Sequence, residues 1–347
     1  MTLKFNARQI SGILGHTIIL FICCIGICSL PGFKGKGTIS TGKDRILGAD
    51  ISWLPELESR GIHFKENGIE KDAILLLKEK GFNYIRLRIF NNPAADSGYS
   101  PKNGFCDLEH TKKMAARIKA AKMKFLLDFH YSDFWADPGK QFKPSAWKNL
   151  PFEELRQAVH DFTKHVVSEL KAQGATPDMI QIGNEINHGM IWPDAHIDHL
   201  DTLAALVKAG IAAIREVDPS IRIMLHIACG GQNEESRFFL DNMIKRQVKF
   251  DLIGESYYPR WHGTLQQLDS NLKDLSTRYR QDIVVVEYSE HKKEVNDIVF
   301  NLPGNKGLGT FIWEPLNFGE SIFDKTGNMK DSLMNIYPSL AKEYRVH

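Results

Sequence analysis

Eight times along the chain a short apolar, β-branched run is followed by a longer stretch with helical period, and this alternation restricts the fold more than any other feature. The strand runs fall at 45–51, 83–90, 124–130, 180–185, 221–227, 250–254, 283–288 and 309–313. Helical patterns follow at 70–80, 108–122, 152–173, 200–216, 234–245, 265–279, 294–301 and 331–343. Gly81 and Gly174 close two of these helices as C-caps, and Asp218-Pro219 stops a third. No strand run is joined to its neighbour by a two-residue hairpin turn, so the sheet is expected to be parallel. Eight such units predict an α/β fold of the (β/α)8 TIM-barrel class in a single domain over 44–347.

The segment before the barrel has a different character. Lys4 and Arg8 precede the apolar run TIILFICCIGICSL (17–30), too short for a spanning helix and suited to a signal-peptide core. We expect 1–30 to be an export signal and the Gly-, Lys-, Ser- and Thr-rich stretch 31–43 to be a flexible tether. Cys23, Cys24 and Cys28 lie in the apolar run, where a cysteine can become a lipidated N-terminus, but neither Cys24 nor Cys28 follows a small residue. A membrane tether through an N-terminal lipid and a released product are both left open. Cys106 and Cys229 are the remaining cysteines, with free, packed thiols as the default and pairing undecided.

A net charge of +2, from 44 basic and 42 acidic residues, gives no global field that favours nucleic acid or anionic lipid. No cofactor is called for, a monomer is expected, and no clustered Cys/His spacing suggests a metal.

A TIM barrel carries its chemistry at the C-terminal ends of its strands. Those ends supply Asp50, Arg86, Arg88, Asp128, His130, Asn184, Glu185, His226, Tyr257, Tyr258, Glu287 and Trp313. Two carboxylates closing separate apolar strands, Glu185 and Glu287, together with flat aromatic faces, form the inventory of glycoside hydrolysis. One acid protonates the leaving oxygen while the other attacks or activates water. Arg86 and Arg88 share parity and point inward, where a cation needs a carboxylate; the alternatives are a partner for an ionised Glu287 and a structural Arg–Asp network. Asn184 suits a sugar hydroxyl, Tyr257 or Tyr258 a donor to the nucleophile, and Trp313 a sugar face. The loop 131–147, with Trp135, is too long and too aromatic for a mere connector.

Five stretches together resemble glycoside hydrolase family 53, the endo-β-1,4-galactanases: DFHYSDFWADPGKQFKPSAW (128–147), IQIGNEINHGMIWP (180–193), FDLIGESYYPRWHG (250–263), VVVEYS (284–289) and FIWEP (311–315). GADISWLPELE (48–58) fits the first strand. The resemblance implies a retaining mechanism, with Glu185 as acid/base and Glu287 as nucleophile. It further implies Asn184 on the sugar hydroxyl, Arg86 or Arg88 beside the nucleophile, and Trp313 under the reactive sugar. The polysaccharide substrate it implies is β-1,4-galactan, the side chain of pectin and arabinogalactan. Another β-1,4-hexan such as mannan, or a glycan-binding barrel without catalysis, are the alternatives. Some bacterial members have a long calcium-holding loop after the nucleophile strand; here YSEHKK (288–293) runs almost directly into a helix, so no metal is expected.

Overall fold

In the computed structural model, which describes residues 43–347, eight parallel strands close into a barrel. The expected signal over 1–30, and the tether except its last residue, lie outside the described residues. The strands are β1 (Ile46–Asp50), β2 (Tyr84–Ile89), β3 (Lys124–Phe129), β4 (Met179–Ile182), β5 (Arg222–Ile227), β6 (Leu252–Tyr257), β7 (Asp282–Tyr288) and β8 (Gly307–Trp313). Each pairs with its sequence neighbours, and β8 returns to β1 in the register Ile46↔Gly309 through Asp50↔Trp313. Closure leaves no open edge, so each of the eight strands has a ladder partner on both sides.

Helices α1 (Ala73–Glu79), α2 (Leu108–Ala120), α3 (Phe152–Ala172), α4 (Leu200–Val217), α5 (Asn233–Lys245), α6 (Leu265–Arg278), α7 (Lys292–Phe300) and α8 (Ile336–Tyr344) surround the barrel. Two apolar layers result from strand alternation. Outward-facing Ile85, Leu127, Ile180, Leu225, Ile253 and Val285 pack against the helices. Inward-facing Tyr84, Leu126, Met179, Met224, Leu252 and Val284 fill the barrel's lower half. Gly48 is required at its inward position, because a Cβ there would lie 2.2 Å from the Phe311 ring.

Local chemistry moves two expected boundaries. The pattern at 70–80 is read as one helix, yet Glu70 belongs to a small hairpin, Lys65–Glu66 with Ile69–Glu70. Its turn is Asn67-Gly68, both with positive φ, a pair suited to a two-residue hairpin turn. The helix begins only after Asp72, whose carboxylate accepts from the Ile74 and Leu75 N–H groups. At the other end, the expected helix 331–343 is two pieces, Asp331–Met334 and Ile336–Tyr344, with Asn335 between them. Cys106 and Cys229 are free and buried. Among the described residues no helix is long and apolar enough to cross a membrane.

Candidate active site

Above the apolar plug the barrel interior turns polar, and Arg86 is its hub. Its guanidinium, 1% exposed, lies 2.8 Å from carboxylate oxygens of Asp50, Asp128 and Glu287 and donates to Asn184 Oδ1 at 3.0 Å. Arg88, one step nearer the rim, pairs with Glu314 at 2.5 Å and lies over the Trp135 ring, 4.3 Å from its centroid. Five buried carboxyl groups, those of Asp50, Asp128, Glu185, Glu287 and Glu314, thus face two guanidinium groups. Such an excess of negative charge cannot all remain ionised away from water. Burial alone would raise Asp128, but Arg86 and then His130 outweigh it and hold this carboxyl below its usual range. Glu314 is raised to about 8 by burial, against the pull of Arg88.

Glu287 reaches Arg86 because β7 carries an extra residue. Its neighbours pair Glu255↔Val285 and then Ser256↔Glu287, and on the other side Val285↔Thr310 and then Tyr288↔Ile312. Strict alternation after Val284 and Val286 would turn Glu287 outward. The bulge instead aims it into the barrel and turns Tyr288 toward the helices, where its hydroxyl meets Tyr337 and Asn296. Tyr258 donates to Glu287 Oε2 at 3.1 Å.

Glu185 sits just beyond β4 in the left-handed region, at φ 49° and ψ 54°, uncommon for a residue with a Cβ. The Gln141 side chain supports this turn by donating to the Asn184 carbonyl at 2.8 Å, with the Glu185 carbonyl at 3.5 Å. Ser256 Oγ donates to Glu185 Oε1 at 2.6 Å. Burial raises the Glu185 carboxyl to about 8, with the charge of Glu287 adding to the shift and the Ser256 bond opposing it. Glu287 is raised less, to about 7, because Arg86 counters its burial. Burial favours the protonated form of both acids, but Arg86 and the Tyr258 hydroxyl lie against Glu287 alone, which makes Glu287 the one suited to lose its proton and Glu185 the one to hold it.

Both line a cleft of about 670 Å³ at the C-terminal mouth, with Arg86, His130, Asn184 and Tyr258 on its floor and walls. Trp313 and Trp135 lie on one side, their ring centroids 6.1 Å apart. Phe318, 4.5 Å from Trp313, extends this aromatic wall, and Trp53 packs against Trp313 at 5.5 Å without lining the cleft. Four expected binding residues are placed differently. Asp50, Asp128 and His226 are fully buried one layer below the floor, where they hold Arg86 and its neighbours. Tyr257 faces the helices and donates to the Gly263 carbonyl, since alternation on β6 gives the barrel interior to Ser256 and the cleft to Tyr258.

The sequence profile of glycosyl hydrolase family 53 matches residues 46–297. The chain belongs to this family. Among its relatives, an uncharacterized protein in the bgaB 5′ region of Niallia circulans is 42% identical over 312 residues, covering 78% of this chain and 83% of the relative. The endo-beta-1,4-galactanase of Bacillus subtilis (strain 168) is 34% identical over 306 residues, covering 79% and 70%. The solved Ignisphaera aggregans GH53 catalytic domain superposes with a TM-score of 0.78 at 32% identity, covering 87% of this chain and 96% of that one.

Within this family 53 barrel, Gln181, Ser256, Gln141 and Glu314 also support the site, although they are not among the residues expected from the strand ends. Gln181 and Ser256 each left a signal, a polar side chain at an inward strand position. Glu314 closes the last strand as Glu287 closes the seventh, but its left-handed backbone, φ 43°, turns it down onto Arg88. Gln141 left none, being one polar residue in a polar loop. Among the described residues no group of three or more His, Cys, Asp or Glu is arranged to hold a metal ion.

Proposed function

We propose that this chain is a retaining endo-β-1,4-galactanase in which Glu287 is the nucleophile and Glu185 the acid/base. The observation that carries the reading is the unequal setting of the two glutamates across one cleft. Arg86 at 2.8 Å and the Tyr258 hydroxyl stabilise negative charge on Glu287. Among the described residues Glu185 has no cation at hydrogen-bond distance, and burial and the charge opposite favour its protonated form. In the first step a Glu287 oxygen bonds to the anomeric carbon while the bond to the leaving oxygen breaks and that oxygen takes the Glu185 proton. In the second, Glu185 removes a proton from water, which displaces Glu287 from the sugar.

Trp313 offers its face to the sugar at the reacting centre, and Asn184, oriented by Arg86 and by its own bond to the Ala136 carbonyl, is placed for a ring hydroxyl. The choice of galactan rests on the family and on relatives such as the Bacillus subtilis endo-beta-1,4-galactanase. Export rests on the charged and apolar pattern of 1–30. Digestion of galactan, mannan and cellulose side by side, with products resolved by size, tests the reading. Short oligosaccharides from galactan alone are expected; preferential cleavage of mannan or cellulose would overturn the substrate assignment.

A further inference from the structure

The hydrogen bonds beneath Glu185 run in one direction, and groups whose protons are fixed by chemistry set it. Arginine only donates, so the Arg86 Nε contact at 3.3 Å marks the Gln181 atom facing it as the carbonyl oxygen Oε1. The other Gln181 atom, Nε2, has two short contacts, each 2.7 Å, to Asp128 Oδ1 and His226 Nδ1. Its two hydrogens serve these, and His226 Nδ1 is an acceptor. The Glu185 N–H points to the same nitrogen at 3.4 Å. Asn184 Oδ1 also lies 3.1 Å from it and accepts from Arg86 Nη2 at 3.0 Å; the two N–H donors facing Nδ1, the closer at 2.7 Å, are what set the tautomer.

A neutral imidazole that accepts at Nδ1 carries its hydrogen on Nε2. Nε2 lies 2.8 Å from Ser256 Oγ and donates to it. With its oxygen engaged in this way, the Ser256 hydroxyl hydrogen is directed at Glu185 Oε1, 2.6 Å away. All seven of these side chains are buried, and Gln181, His226 and Ser256 are fully so.

We propose that Ser256 is a positioning residue that commits Glu185 Oε1 as an acceptor and thereby places the acidic hydrogen on Oε2, the oxygen without a partner among the described residues. A carboxylic acid has one hydrogen and two oxygens, and an acid/base that holds it on the wrong one must rotate before it can act. Gln181 and His226 act through Ser256 by fixing the direction in which its hydroxyl points. During the first step the Oε2 hydrogen passes to the leaving oxygen, the electron pair of the broken bond leaves with that oxygen, and Ser256 continues to donate to the carboxylate that results. The proposal rests on the acid/base reading of Glu185.

Leaving groups distinguish this role from a structural one. Cleavage of galactan needs a proton on the departing oxygen, whereas 2,4-dinitrophenolate departs without one, and kcat/KM reports only the steps through the first bond cleavage. Ser256→Ala is expected to lower kcat/KM on galactan roughly ten- to a hundredfold, part of the 10²–10⁴ that a general acid supplies. The loss on 2,4-dinitrophenyl β-galactobioside should be at least about tenfold smaller, and Ser256→Thr, which keeps the hydroxyl, should recover most of the galactan rate. Ser256→Gly makes the same deletion should the alanine variant not fold. Equal losses on the two substrates, or a galactan rate close to wild type, would overturn the proposal. A wild-type enzyme inactive on both substrates would overturn the galactanase reading instead, so the two failures are distinguishable.

Discussion

At the scale of single residues, burial raises both carboxyls of the proposed catalytic pair, Glu185 and Glu287, and Arg86 opposes the shift at Glu287. The pair titrates as a unit, so kcat/KM should follow a bell whose limbs both lie above the ordinary carboxylate range. Below the acid limb Glu287 takes up a proton and cannot attack; above the alkaline limb Glu185 has none to give. Arg86→Leu should move the acid limb to higher pH, since the charge that favours ionised Glu287 is gone. It should also cost about 3–5 kcal/mol in denaturant unfolding, because Asp50 and Asp128 lose their buried partner. Glu185→Gln and Glu287→Gln should each lower galactan hydrolysis by several orders of magnitude with the fold retained. Azide then separates the roles: it attacks the glycosyl-enzyme when only the base is missing and replaces a missing nucleophile, giving products of opposite anomeric configuration. Near-normal activity of either variant would remove that residue from its role.

Elements decide where those residues end up, and here the sequence is informative only in part. Period-two alternation on β2 correctly turns Arg86 and Arg88 inward, and strand ends correctly collect Glu185 and Glu287. Height within the barrel is not written in the alternation, so Asp50, Asp128 and His226 read as cleft residues although they lie beneath it. The bulge in β7 is equally hidden, because Val284 to Glu287 is an uninterrupted β-forming run, and its extra residue shows only in the register of both neighbours. The long loop 131–147 reaches across to the acid through Gln141. Gln141→Ala leaves the Asn184 carbonyl without its donor, at a cost of about 1–3 kcal/mol, and should lower kcat on galactan by loosening the left-handed turn at Glu185. Unchanged kcat and melting temperature would show that this turn holds itself. Only Ser289, Glu290 and His291 separate β7 from α7, too short a span for an ion-holding loop. Prolonged chelation should therefore leave activity and melting temperature unchanged; a loss restored by calcium would contradict this.

For the molecule as a whole, pH should act on stability as well as on rate. Glu185, Glu255 and Glu314 are each raised from 4.5 to about 8, in every case first by burial. A carboxyl whose pKa is higher in the folded state favours folding below its unfolded value, and that contribution is lost as pH rises through the folded value. Melting temperature should thus fall between about pH 5 and pH 8. Glu255→Gln, away from the cleft among Ser236, Cys229 and Asn271, should flatten the fall without altering the bell of kcat/KM. A fall as steep as wild type would remove Glu255 from this balance. Barrel closure brings the ends of β4 and β7 to one cleft, and the stereochemistry of the product reports what they do there. Retention requires the two carboxyl groups to be about 5–5.5 Å apart, with Glu287 bonding directly to the sugar, whereas inversion leaves room for a water. The most direct measurement is proton NMR of galactan during digestion. The β-anomer of the new reducing end should appear first, with the α-anomer growing in by mutarotation; an α-anomer that appears first would make Glu287 a base for water and contradict the mechanism.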